Sequence, residues 1–280
     1  MALIPPGFID TVVAIGIDDA EGKRKWIASG FIFGKIKSRK SDGNALGKVY
    51  LITNRHVVKS QTKAYLRFNS KGKEPAKIFK IESKGKDGNI QFFTHPNSKI
   101  DVAVVPINYD ILVKKGIQVD YFHSDKNIAN IEKMIEEGIT EGDFVYVLGF
   151  PMGLIGGQRN AVIVRSGVIA RIQDTLDNSS NTFLVDAFVF PGNSGGPVIL
   201  KPELISITGT KTHKTPYLLG IVQSYVPYKD VAISSQTNKP RIIFEENSGL
   251  AAIHPIDFIE ETIQVHEKYV DELRAKGKIK

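Results

Sequence analysis

The apolar residues of this chain come in short runs, and that spacing limits its fold more than any other property. Phe8–Ile17, Trp26–Phe33, Val49–Thr53, Lys63–Phe68, Ala76–Ile81, Asn89–Thr94 and Val102–Ile107 each hold enough residues for one strand. Turn-forming residues separate them, with 25 Gly and 13 Pro among the 280 residues. After a different stretch, 125–138, the pattern resumes at Phe144–Phe150, Ala161–Arg171, Phe183–Phe190, Val198–Leu200, Tyr217–Tyr225 and Arg241–Glu245. Short runs rich in Val, Ile and Phe with turn signals between them predict an antiparallel barrel or sandwich.

Two segments carry the helical period instead. Ile128, Ile131, Met134 and Ile135 share one face of a helix predicted over Asp125–Gly138, which Gly138 can end. Phe258, Ile259, Ile263, Val265 and Val270 mark an amphipathic helix over Pro255–Lys276. The expected division is therefore a β-rich half over residues 1–125, a linker helix over 126–140, a second β-rich half over 141–253 and a closing helix over 254–280.

No apolar run approaches the roughly 20 residues needed to cross a bilayer, so no membrane span is expected. The start, Met1–Gly7, has no basic region ahead of its few apolar residues and does not read as a signal peptide. Cysteine is absent, which rules out disulfides and thiolate metal sites and fits a reducing compartment. The expected location is cytoplasmic. The net charge of +7 is uneven: residues 1–100 carry 19 Lys/Arg against 8 Asp/Glu, and the rest of the chain is net acidic. The basic residues crowd Lys35–Lys48 and Lys59–Lys86, where a nucleic-acid-associated role is one reading. The favoured reading is solvated lysines that keep sheet edges from pairing, because aromatic interleaving is thin there.

The chemistry is concentrated in Phe190-Pro191-Gly192-Asn193-Ser194-Gly195-Gly196-Pro197-Val198. A serine hydroxyl needs a base to take its proton and fixed donors to receive charge on a substrate carbonyl. Glycines on both sides allow backbone angles that aim amide N–H groups at one point, and Gly192 and Ser194, with Asn193 between them, are the candidates for such a pocket. His56 follows the apolar strand Leu51-Ile52-Thr53, a rigid place to hold a general base. Asp101 opens the run Val102–Val105, where a carboxylate needs a hydrogen-bond partner and an imidazole would serve. The other histidines, His95, His123, His213, His254 and His266, are read as structural.

The order His56, Asp101, Ser194 resembles the trypsin-like, chymotrypsin-fold serine proteases, and among them the bacterial HtrA/Deg-type branch. The matching phrases are Ala28-Ser29-Gly30-Phe31-Ile32, Leu51–Val58, Asp101–Val104, Gly142–Pro151, Ser166-Gly167-Val168-Ile169 and Gly192–Pro197. The resemblance implies an all-β fold of two six-stranded antiparallel barrels with an inter-barrel helix and a C-terminal helix. It also implies a serine endopeptidase whose His56 is base, whose Asp101 orients it and whose Ser194 is the nucleophile acylated during turnover. The amides at Gly192–Ser194 would hold the oxyanion, with no metal and no cofactor. By the same alignment Phe188 forms the base of the substrate pocket and Gln223, Ser224 and Tyr225 its wall, which suits a small or medium apolar residue before the scissile bond. The partner is a protein or peptide substrate. Where digestive relatives carry Asp before the serine, this chain has Asn193, so the alternative is a latent or regulatory module whose loop an activating protein must order. With 27 residues after the expected second barrel, no PDZ domain is expected within these 280 residues.

Overall fold

The computed structural model describes residues 4–41, 43, 45–59, 61–85, 88–203 and 207–279. Lys86 and part of the Lys37–Gly47 stretch lie outside them. The first half contains α1 (Pro6–Asp10), β1 (Val12–Asp18), β2 (Arg24–Arg39), β3 (Ala45–Thr53), α2 (Arg55–Val58), β4 (Lys63–Phe68), β5 (Lys77–Glu82), β6 (Phe93–Thr94), β7 (Ala103–Ile107), α3 (Tyr109–Lys114) and β8 (Phe122–His123). The helix α4 (Ile131–Glu137) leads to β9 (Phe144–Gly149), a 3-10 turn at Pro151–Gly153, β10 (Ile163–Arg171), α5 (Gln173–Leu176), β11 (Phe183–Asp186) and β12 (Pro197–Leu200). The chain closes with β13 (Leu218–Ile233), β14 (Pro240–Pro255) and α6 (Ile256–Ala275).

The second half is a closed barrel of six strands in the order β10-β11-β14-β13-β12-β9. The first half is a curved sheet in the order β5-β4-β1-β2-β3-β7-β6, with β8 added beside β2. Its two ends meet at an isolated bridge between Lys84 and Ile90, so it curls almost into a second barrel. Each half has its own apolar filling: Val13, Ile32, Leu51 and Leu66 in the first, Val147, Phe183, Val198 and Val222 in the second. A third cluster lies between them, joining Phe31, Tyr50 and Ile52 to Leu148, Ile199, Ile221 and the α6 residues Ile256, Ile259 and Ile263.

Polar contacts fix the two halves further. The Arg67 guanidinium on β4 donates to the carbonyls of Ile155 and Gly157 and to Asn160 Oδ1 in the second half. Asn69 and Asn160 exchange side-chain and main-chain hydrogen bonds. A buried cation that meets several carbonyl oxygens is tolerated where an unpaired one would not be.

Several sequence expectations are corrected. The chain turns before its first strand, because Pro6 opens a short helix and Thr11 Oγ1 caps it on the Phe8 carbonyl. The linker helix begins only at Ile131, after Asn130 caps it by accepting the Lys133 amide. Ile128 instead bridges Leu218, and Ile135 is 56% exposed while Met134 is fully buried. The polar stretch between the second and third runs lies largely in a hairpin, since β2 runs to Arg39 and β3 starts at Ala45. Of Asn89–Thr94 only Phe93 and Thr94 form a strand. The two short strands expected near 217–245 are one ribbon, β13 paired with β14 from Gly220–Pro255 out to Ile233–Pro240. Its outer part exposes Tyr228, Val231, Ile233, Ile242, Ile243 and Phe244.

Helix α6 is strapped to the first half. Tyr50 Oη and His266 Nδ1 are 3.0 Å apart, and His95 Nε2 lies 2.8 Å from Glu261 Oε2. Burial, with help from the Lys48 charge, pushes the His266 ring down to about 4. A folded-state value below the ordinary one near 6.5 means that the unfolded chain takes up this proton first. The His266 contribution to stability is therefore fully present above about pH 6.5 and is lost as pH falls from there towards 4. We expect the drop in melting temperature between pH 7.5 and 5 to be smaller in His266→Phe than in the wild type, read by thermal circular dichroism.

Candidate active site

Ser194 sits in the turn that carries the chain from β11 to β12. Gly192 and Gly195 hold φ of 102° and 85°, backbone that favours glycine. A Cβ on Gly192 would lie 2.3 Å from the Phe150 carbonyl oxygen, and one on Gly195 2.1 Å from that of Ser29. The turn is tied internally. The Asn193 amide donates to the Phe190 carbonyl, the Phe190 amide to Asn193 Oδ1, and the Gly196 amide to the Asn193 carbonyl. The Gly195 amide is bonded to Val222 of β13. Among the described residues, the amides of Gly192 and Ser194 alone in the run 192–196 have no partner. The Asn193 amide, expected to share in an anion pocket, faces Phe190 instead.

The turn is also held from outside. Ser29 Oγ, fully buried on β2, donates to the Gly192 carbonyl at 2.7 Å and accepts from the Phe150 amide at 2.9 Å. The Ser29 amide donates to the Ser194 carbonyl at 2.9 Å, and the Met152 amide to the Pro191 carbonyl at 2.6 Å. Because N–H and C=O of a trans peptide point in opposite directions, this last bond turns the Gly192 amide away from the Pro151–Gly153 turn.

His56 lies in the first turn of α2, and Asp101 just ahead of β7. His56 Nδ1–H donates to Asp101 Oδ2 at 2.6 Å, and the His56 amide donates to Asp101 Oδ1 at 2.9 Å. The Asp101 carbonyl accepts from Asn54 Nδ2 at 2.7 Å. The carboxylate is therefore fixed at both oxygens, and the imidazole carries its proton on Nδ1 with Nε2 left to act as a base. The His56 side chain is 54% exposed against 18% for Asp101.

His56, Asp101 and Ser194 line one cavity of about 220 Å³, whose other walls are Val189, Phe190, Pro191, Val222, Gln223, Ser224 and Tyr225. Gln223, Ser224 and Tyr225 are thus brought to the same cavity as His56, Asp101 and Ser194. Tyr225 is pinned by donating its hydroxyl to Glu245 Oε1 at 2.8 Å, and that bond raises the phenol and lowers the carboxyl from their ordinary values. Phe188 is the exception. It is 55% exposed and outside the cavity, and a Cβ on Gly249 would lie 3.6 Å from its ring. Strand alternation carried past the end of β11 explains the miss: Ala187 and Val189 are buried and Phe188 faces out. Ser29 was visible only as part of a motif, because a serine inside an apolar strand carries no local sign of its partner. Among the described residues no three His, Cys, Asp or Glu side chains could hold a metal ion.

Comparison with known proteins adds the following. A probable periplasmic serine endoprotease DegP-like of Buchnera aphidicola subsp. Baizongia pistaciae is 28% identical over 162 residues, 56% of this chain and 27% of that protein. The periplasmic serine endoprotease DegP of Escherichia coli is 27% identical over 164 residues, 57% of this chain and 27% of that protein. The serine protease Do-like HtrB of Bacillus subtilis is 26% identical over 177 residues, 60% of this chain and 31% of that protein. The chain therefore spans about three tenths of the length of the curated relatives it matches. A crystal structure of the Drosophila Grass clip serine protease of the Toll pathway superposes with a TM-score of 0.48 at 11% identity, covering 94% of this chain and 71% of that one. The expected cytoplasmic location is corrected by these relatives, since those from Buchnera and Escherichia coli are named as periplasmic. The lack of cysteine that suggested a cytoplasm excludes disulfides in any compartment and does not separate the two. The model of the trypsin-like peptidase domain matches residues 28–203, which include His56, Asp101 and Ser194, and the chain belongs to that family.

Proposed function

We propose that the protein is a serine endopeptidase in which Ser194 is the nucleophile, His56 its general base and Asp101 the group that orients and charges-balances His56. The observation that carries this reading is the one cavity lined by all three, with Ser194 in the turn whose Gly192 and Ser194 amides have no partner among the described residues. His56 Nε2 takes the Ser194 proton as Oγ attacks a peptide carbonyl, and the Asp101 carboxylate stabilises the imidazolium that results. The Gly192 and Ser194 amides receive the negative charge on the carbonyl oxygen. His56 then protonates the leaving amine, and water released of a proton by the same imidazole hydrolyses the acyl group from Ser194. The working site lies in the crevice between an N-terminal barrel over residues 1–125 and a C-terminal barrel that starts at 141 and, because β14 runs to Pro255, extends two residues past the expected bound of 253, with 126–140 as linker and the closing helix starting at Ile256. The compartment inferred from the relatives is the periplasm, and the substrates are polypeptides.

The small cavity, walled by Val189, Val222 and the pinned Tyr225 ring, favours a small or medium apolar residue before the scissile bond. With Phe188 outside the cavity, Phe188→Ala should leave that preference unchanged, whereas Tyr225→Gly should extend it to larger side chains in a peptide-library cleavage profile. A reversed result would mean that the specificity cavity is elsewhere.

The direct test is labelling by a fluorophosphonate probe, which reports an activated serine without a known substrate. Wild type should label, and Ser194→Ala and His56→Ala should not; labelling that survives Ser194→Ala rejects the assignment. Ser29→Ala frees the Gly192 carbonyl and should slow labelling by about tenfold or more while the protein stays folded, since loss of one oxyanion donor alone costs about 100-fold. Unchanged labelling in that variant would show that the turn holds its shape without the hydroxyl.

A further inference from the structure

We infer that His254, a buried residue of the second barrel, is a positioning residue for Asp101 and acts as a neutral hydrogen-bond acceptor. The inference rests on the reading of Asp101 and His56 as the catalytic pair. His254 is 1% exposed, near the end of β14. Its Nδ1 lies 2.8 Å from the Asn181 carbonyl oxygen, and its Nε2 accepts the Asp101 amide at 3.0 Å. A carbonyl oxygen can only accept and an amide N–H can only donate. The ring therefore carries one proton, on Nδ1, and Nε2 bears the lone pair that faces Asp101.

The backbone around it is shaped for this approach. His254 pairs with Ile221 and Pro255 with Gly220 across the β13–β14 ladder. A Cβ on Gly220 would lie 2.1 Å from the His254 carbonyl oxygen, so glycine there lets the two strands come together. The Phe258 ring of α6 packs edge-on against the imidazole at 5.8 Å. The result is that Asp101 is held at each polar group. Its amide goes to His254, its carbonyl to Asn54, and its carboxylate to the amide and ring of His56. Only the amide contact comes from the second barrel, and it joins the acid to the barrel that carries Ser194.

A neutral acceptor must stay unprotonated, and its surroundings favour that. Burial is the largest influence on His254 and lowers its affinity for a proton; the Asn181 carbonyl and the Asp101 carboxylate act the other way, and nearby His95, paired with Glu261, adds to the lowering. Protonation at Nε2 would set two N–H donors against each other and push the Asp101 main chain away from His56. An exposed structural histidine would have no such consequence for the base.

The test compares wild type, His254→Gln and His254→Phe. Gln can offer an acceptor to Asp101 and a donor to Asn181; Phe keeps the ring volume and loses both nitrogens. Fluorophosphonate labelling rates are measured across the whole pH range in which the protein stays folded. We expect His254→Phe to label about tenfold more slowly or worse, with the acid limb of its profile moved to lower pH because a displaced carboxylate supports the imidazolium less. His254→Gln should recover most of the rate and the position of the limb. A His254→Phe rate and limb equal to wild type overturn the proposal, as does His254→Gln behaving like His254→Phe.

Two magnetic-resonance measurements need no turnover, and the first needs no variant. Nitrogen-15 spectra of wild type should show His254 unprotonated at Nε2 throughout the active pH range; a proton there overturns the inference. The downfield proton between His56 and Asp101 should shift or vanish in His254→Phe, and an unchanged resonance overturns it too. Should wild type fail to label at all, the protease reading falls, while these two measurements still decide the placement of Asp101.

Discussion

Much of this structure depends on one buried hydroxyl. Ser29 belongs to β2 of the first half, yet its Oγ bridges two groups of the second, the Phe150 amide and the Gly192 carbonyl. Its amide holds the Ser194 carbonyl, and its own carbonyl accepts from Thr53 Oγ1. A buried hydrogen bond contributes only about 1 kcal/mol net, but leaving its partners unsatisfied costs about 1–3 kcal/mol for each group. With a donor and an acceptor from two loops meeting on one oxygen, the loops cannot move independently. The orientation of the Gly192 peptide is thus set by the first barrel, although Gly192 itself belongs to the second.

The same logic recurs at each place where the two halves meet. Arg67 closes on carbonyls of the 155–160 loop, which continues from the Pro151–Gly153 turn, and Met152 of that turn holds the Pro191 carbonyl. His254 reaches from β14 to the Asp101 amide. These are directional contacts between a few fixed atoms, laid over an apolar cluster that is not directional. The apolar cluster supplies most of the drive to associate, and the polar contacts select one relative placement of the barrels. In a chain without cysteine no disulfide between the halves is available, so that selection falls to hydrogen bonds and to the α6 strap.

How much of this was legible in the sequence follows from how local each feature is. His56, Asp101 and Ser194 each sit where an apolar strand meets a turn, and that junction is written in adjacent residues. Most barrel strands are likewise visible as Val-, Ile- and Phe-rich runs. The outer β13–β14 ribbon was missed because its ladder is solvent-exposed and its register shifts at Val222/Ser224, Tyr225/Pro227 and Ala232/Ile233, which breaks the alternation that marks a half-buried strand. Phe188 was misplaced because its spacing from Ser194 says nothing about which way it faces, and the alternation of buried Val185, Ala187 and Val189 turns it outward. The roles of Ser29 and His254 rest on partners 163 and 153 residues away in the chain, and neither has a neighbouring residue type that announces such a contact.

A site assembled in this way ties activity to the interface between barrels more tightly than to the stability of either barrel. In the proposed mechanism His56 and Asp101 come from the first half, and Ser194 and the amides of its turn from the second. Both the amide pocket and the acid are held across the divide, through Ser29 in one direction and His254 in the other. A small separation of the halves would leave each barrel's own core intact, since those cores are distinct clusters, while removing both cross-supports at once. Small displacements matter at such sites because reacting groups must approach to about 3 Å with their orbitals aligned. Loss of function should therefore precede loss of fold under mild denaturing conditions, with the apolar cluster shared by Phe31, Ile199 and α6 as the part whose loosening inactivates first.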